Sequence, residues 1–227
     1  MPLKKLSVLL LSMSLFGCSM APSIDTAITP EDQPSASLHI IEHDDGAIAW
    51  KKSTTPLSKN HDKVVMINLP KTFSFDSNDP RLANFSDDAN KLRLHFRNEL
   101  KKQLTTAGYR VVDKPTKGAL SLQVSITDIE RAPRDPNVTE YIPIGMLVGL
   151  SLHATGVRDE TPYLFFKSTI SDSLSGETLV RAVDRASGKN IDQDKGPAVE
   201  DIYPALDTVA RLIRERLDRE FQPKTSA

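Results

Sequence analysis

Cysteine is almost missing from this sequence. Cys18 is the only one, so no disulfide can form within the chain. A basic excess is missing too. The 29 Lys and Arg face 30 Asp and Glu, and loss of a leader carrying Lys4 and Lys5 would leave 27 (29 − 2) against 30. Nothing there neutralises a run of phosphates, so nucleic acid is not an expected partner. Neither apolar run, 6–16 or 141–156, reaches the roughly 20 residues that a membrane-spanning helix needs. Also absent are H-E-x-x-H, G-x-S-x-G, a P-loop and a glycine-rich dinucleotide fingerprint. If Cys18 is acylated, nucleophilic cysteine chemistry is excluded as well. The chain therefore reads as a non-enzyme, with no cofactor and no metal expected.

What is present begins at the amino end. Lys4 and Lys5 precede the run LSVLLLSMSLF (6–16), and Gly17 and Cys18 follow. A charged start, an apolar core of roughly 7–15 residues and a small residue before the cut mark a secretory signal. Leu15, Gly17 and Cys18 look like the −3, −1 and +1 residues of a lipobox, with Phe16 bulkier than is usual at −2. The expectation is cleavage between Gly17 and Cys18, acylation of Cys18 (palmitate among the chains added) and a membrane anchor through it. Acylation also accounts for a lone thiol in an exported chain. Two acyl chains make such an anchor stable, at about 0.8 kcal/mol per buried methylene. Ser19 follows Cys18, and no Asp stands there to signal inner-membrane retention. A lipid-anchored position facing the periplasm is expected, at the outer membrane rather than the inner.

Four segments follow: a signal peptide (1–17), a lipidated start and tether (18–60), one folded domain (61–222) and a frayed tail (223–227). Residues 19–60 are rich in Pro, Ser, Thr, Asp and Lys and read as a flexible tether lifting the domain off the lipid. Within them, Ile40-Ile41 and the stretch Ala47 to Trp50 are short apolar islands, and Trp50 is expected to pack on the domain.

Val64 to Leu69 reads as a buried strand ended by Pro70. Ser86 is placed as the N-cap of a helix whose stripe is Leu92, Phe96, Leu100, Leu104 and Ala107, with Gly108 past its end. Tyr109 to Val112 gives a second strand, so strand, helix and strand predict a parallel pair. Leu120, Leu122, Val124 and Ile126 alternate with Ser121, Gln123, Ser125 and Thr127, the pattern of a strand with one polar face. Residues 161–172 and 178–183 flank a Gly176 turn and read as a hairpin. Ile202, Leu206, Val209, Ile213, Leu217 and Phe221 form the stripe of a last helix, with Pro204 tolerable only in its first turn. The fold class expected is α+β, a single mixed sheet with two long helices packed on one face.

Ordered stretches resemble the domain-of-unknown-function 3313 family of bacterial lipoproteins. They are Gly46 to Lys52 with Leu57 to Lys59, Asp62 to Ile67, Leu94 to Arg97, Ala107 to Asp113, Leu120 to Asp128, and Ser175 to Leu179 with Ala182 to Arg185. The family often carries Tyr where His61 stands. The resemblance implies an envelope lipoprotein and supplies neither an activity nor catalytic residues.

Residues that could carry chemistry are few. His39 and His43 stand four apart beside Glu42, Asp44 and Asp45, but Asp44-Asp45-Gly46 marks a loop, so metal binding is not expected. His61, His95 and His153 are scattered, and Ser173, Ser175 and Ser187 sit beside turns. Asp128, Glu130, Asp172 and Asp184 lie at or near strand ends, and a converging pair could do acid–base work. Turn and edge chemistry explains them as well. Tyr141 to Gly156 is apolar, with glycines at Gly145, Gly149 and Gly156. Tyr141, Ile144, Gly145, Met146, Leu147, Val148 and Gly149 could form a partner patch, or a short helix buried over the sheet. The reading is a membrane-anchored periplasmic binding or adaptor module for an envelope protein or a cell-wall component. A hydrolase acting on envelope material, or a carrier of lipid or a small ligand, is the alternative.

Overall fold

The computed structural model describes residues 21–29, 37–70, 85–133, 160–190 and 198–222. Among the described residues, seven strands form one mixed sheet. In chain order they are β1 (His39–His43), β2 (Ala47–Lys51), β3 (Val64–Asn68), β4 (Arg110–Val112), β5 (Leu120–Pro133), β6 (Glu160–Asp172) and β7 (Thr178–Ser187). Two long helices accompany them, α1 (Phe85–Thr106) between β3 and β4 and α2 (Tyr203–Phe221) after β7. The sheet order is β1-β2-β7-β6-β5-β3-β4. The α+β class and the single mixed sheet are as expected from the sequence.

The expected parallel pair is there. β3 lies parallel to β4 and also to β5, with Val65 opposite both Val111 and Leu120. All other pairings are antiparallel. The β6–β7 hairpin turns at Gly176, whose φ of 73° lies in the left-handed region that glycine enters freely. α1 starts at Phe85, so Ser86 is a helical residue and not the cap. Pro204 falls in the first turn of α2, where its missing N–H is no loss.

One face of the sheet meets both helices. Leu92, Phe96, Leu100 and Leu104 of α1 are fully buried, as are Leu206 and Val209 of α2, with Ile213 and Leu217 almost so. They pack with Val65, Leu120, Leu122, Val124, Leu164, Phe166 and Val180 in one cluster. Full burial of each such side chain contributes roughly 1.5–3 kcal/mol, so this contact dominates the stability. The alternation in β5 has the expected sense. Leu120 to Ile126 point into the core at every second position, and Gln123 is exposed.

Residues 39–51 correct the tether expected over 18–60. They are strands β1 and β2, which extend the sheet beyond β7, with Trp50 opposite Arg181 and Ile48 opposite Val183. All five residues of β2 are buried, and Trp50 is 4% exposed. The reason is cover on both sides. The helical layer lies on one face of β2. On the other, Ile48, Trp50, Phe165 and Val183 gather around Ile24, from a 3-10 turn at Ile24–Ala27. A strand covered on both faces shows no period-two alternation.

Candidate functional site

β2 ends at Lys51, and the chain crosses from it to β3 through Lys52 to Lys63. This link contains a 3-10 turn, Leu57–Lys59. It is fixed from below by the last turn of α2. Glu220 Oε2 accepts from the Leu57 amide at 3.1 Å and also pairs with the Lys51 ammonium. From the side it is fixed by the β6–β7 hairpin. The Lys52 amide donates to Leu179 O at 2.9 Å, and the Lys52 ammonium pairs with Glu177. The result is an open cleft of about 390 Å³, lined by Lys51, Lys52, Thr55, Lys59, His61 and Glu177 among others.

His61 stands between two acceptors, Leu57 O at 3.3 Å from Nδ1 and Asp172 Oδ2 at 3.2 Å from Nε2. The second oxygen of Asp172 accepts from the amides of Leu174 and Ser175 and from the Ser175 hydroxyl, at 3.1, 2.7 and 2.9 Å. The Ser175 amide is the main cause holding this carboxyl below its ordinary range. Asp172 thus closes the hairpin turn and anchors His61 at the cleft wall.

Asp184 plays a different part. It faces the helical layer, fully buried, and meets Arg216 of α2 through two bonds, Nη2 to Oδ1 at 2.7 Å and Nη1 to Oδ2 at 3.2 Å. Arg216 Nε also donates to Glu42 of β1 at 3.3 Å, and Arg219 shares that carboxylate at 2.8 Å. Burial pushes the Asp184 carboxyl above the usual range, against the pull of the guanidinium beside it. This network ties β1, β7 and α2 together.

The acid pair considered for catalysis does not form between Asp172 and Asp184. Asp184 pairs with Phe166, six residues from Asp172 along β6, a separation of roughly 20 Å. Asp128 and Glu130 lie on β5 opposite Phe165 and Tyr163. The remaining candidates are dispersed. Ser173 exchanges hydrogen bonds with the backbone of Thr116. His95 bonds Asp207 at 2.7 Å and stacks on Tyr203 at 3.9 Å. His39 and His43 are on strand β1, not on a loop, and His43 pairs with Asp25 at 3.4 Å. Among the described residues no cluster of three or more His, Cys, Asp or Glu could hold a metal ion. Gly17, Cys18, His153 and the patch residues Tyr141 and Ile144 to Gly149 lie outside the described residues. No described helix is long and apolar enough to cross a membrane.

Sequence reasoning missed Glu220, Arg216 and Glu42. Their partners lie 163 to 177 residues away, and nothing local marks them, apart from Arg216, which contacts Asp184 32 residues away. For the cleft a signal did exist. The stretches that carry the family resemblance, Gly46 to Lys52, Leu57 to Lys59 and Ser175 to Leu179, all reach its wall.

The model of a family described as protein of unknown function (DUF3313) matches residues 41–213. The chain belongs to this family. The match begins inside β1 and ends in α2, so it takes in the residues lining the cleft and Asp184, and stops short of Arg216 and Glu220. A curated relative, the uncharacterized lipoprotein YdcL of Escherichia coli, is 25% identical over 111 residues, 48% of this chain and 46% of that protein. The chain thus spans about half the length of the curated relatives it matches. Among solved structures, a minor lipoprotein from Acinetobacter baumannii aligns over 73% of this chain and 97% of its own, with 14% identity and a TM-score of 0.41. The PelC dodecamer from Paraburkholderia phytofirmans aligns over 79% and 99%, with 11% identity and a TM-score of 0.32.

Proposed function

We propose that this chain is an envelope lipoprotein, anchored through acylated Cys18 and facing the periplasm, that works as a binding or adaptor module and not as an enzyme. Its relative in Escherichia coli is a lipoprotein, and the lipobox and leader agree with that. Ser19 after Cys18 favours the outer membrane. The observation that carries the binding role is the convergence of three separate family-like stretches on one open cleft. A mixed lining of lysines, a histidine, a hydroxyl and a carboxylate suits a polar, charged ligand such as a peptide or a cell-wall fragment. A hydrolase is less well supported, since Asp172 and Asp184 are apart and each already serves a structural contact.

The test uses a photo-crosslinking residue at Thr55 in the cleft, with Leu94 on the exposed side of α1 as control, in wild type and in Cys18→Ala. One defined envelope partner captured from Thr55 alone, and only by the anchored form, is the expected result. Equal capture from both positions, or none from either, would refute the reading. Failure of the wild type to take up labelled palmitate would refute the anchor separately.

A further inference from the structure

The amino-terminal segment is held against the sheet. Ile24 is 1% exposed, set among Ile48, Trp50, Phe165 and Val183 on the face away from the helices. Ala27 and Ile28 pack on the same cluster. The Arg185 guanidinium of β7 donates to the Pro22 carbonyl. Asp25 faces His43 at the end of β1 at 3.4 Å, and the Ser23 hydroxyl caps the 3-10 turn at the Asp25 amide. Three kinds of contact thus seat one short segment: burial, a charged hydrogen bond to backbone and a polar contact between Asp25 and His43.

The seat has a direction. Arg185 pairs with Phe165, and its amide donates to Gly46 O beside the β1–β2 turn. Pro22 therefore leaves the domain at the end of the sheet that holds this turn. The Gly176 turn lies at the other end. Phe165 and Asp172, seven residues apart on β6, put roughly 24 Å between the two ends.

We propose that residues 22–28 are a strap that holds the domain close to the bilayer in one orientation, with the β1–β2 turn toward the lipid and the Gly176 turn away from it. The argument is one of reach, and it rests on the lipid anchor at Cys18. Three residues, 19–21, separate Cys18 from Pro22, so the anchor lies within roughly 14 Å of the strap. A loose tether over 19–60 would have a root-mean-square span of roughly 35 Å and would set no orientation. The bilayer surface is thus the strap's partner, and the cleft beside His61 and Glu177 opens at the end remote from it.

The test uses the acylated full chain in vesicles of phosphatidylethanolamine and phosphatidylglycerol. Acylation occupies the only native thiol, so a fluorophore can be placed at Asp45→Cys in the β1–β2 turn or at Leu174→Cys in the far hairpin. Headgroup-labelled quencher lipid is expected to quench the first at least about threefold more than the second, given the separation along β6. Ile24→Asp should abolish that difference and speed amide exchange over 22–28, with exchange in β5 and β6 unchanged. If Ile24→Asp disturbs β5 and β6 as well, the milder Ile24→Ala must show a partial loss of the difference. Equal quenching at both ends in the wild type, or fast wild-type exchange over 22–28, would overturn the strap and leave the anchor standing. Lack of palmitate on the wild type removes anchor and strap together.

Discussion

Removing Arg216 is the sharpest test of how this sheet is held. Arg216→Met keeps the length of the side chain and deletes its charge. Asp184 then stays fully buried with both bonds lost, since Arg216 supplies its 2.7 Å and 3.2 Å contacts. A buried ion left without its partner costs about 3–5 kcal/mol. For a domain of this size each kcal/mol moves the melting temperature by about 2–4 °C, so a fall of roughly 6–20 °C is expected. The double variant Asp184→Leu with Arg216→Met removes both charges, and Glu42 keeps Arg219 as partner. Its stability should return to within about 1 kcal/mol of wild type or exceed it, because a well-packed apolar pair replaces a dry ion pair at little cost. Urea unfolding of the soluble domain, followed by circular dichroism, measures both. A single variant that loses less than about 1 kcal/mol would show that Asp184 reaches water and that this reasoning fails. So would a double variant as unstable as the single one.

Three further outcomes follow from the same structure. Gly188→Ala should destabilise by about 1–3 kcal/mol, because the added methyl would meet Asp201 O at 2.5 Å and Pro162 at 2.8 Å; thermal melts check this. Tyr109 donates to Asp218 at 3.1 Å, and burial first, then that carboxylate, pushes its hydroxyl well above the ordinary range. Its contribution is therefore complete below about pH 10 and is lost as pH rises beyond that, and Tyr109→Phe should flatten the alkaline limb of stability measured in urea. Glu220→Ala should cost about 1–3 kcal/mol and speed amide exchange at Leu57, whose N–H it accepts.

Much of the fold is written in local pattern. β5 alternates because one of its faces is polar, and the helix stripes of α1 and α2 fall at helical spacing because one side of each meets the sheet. β1 and β2 escape that logic. The segment Ala47 to Lys51 is buried at every position, and its cover on one face comes from Ile24, more than twenty residues upstream in a stretch that looks like linker. Trp50 was the usable clue, a large aromatic that only a packed surface would hold. The cleft was legible only as separate family-like stretches. Their meeting depends on Glu220 pinning Lys51 and Leu57, a contact 163 residues or more in span that no window of sequence contains.

The place of β2 in the sheet has a consequence for how the chain is made. Ala47 to Lys51 pair with residues 180–184 of β7, and α2 then clamps that pair through Glu220 and Arg216. The β1–β2 hairpin is made early but cannot join the rest of the sheet until β7 exists, and contacts of such long separation form slowly. During synthesis and any passage across a membrane, the β2 edge that will meet β7 has to wait open, an apolar strand in need of protection. The seat of Ile24 is built from Ile48 and Trp50 of β2 with Phe165 and Val183 of β6 and β7, so the amino end can be buried only once β2 has joined β7.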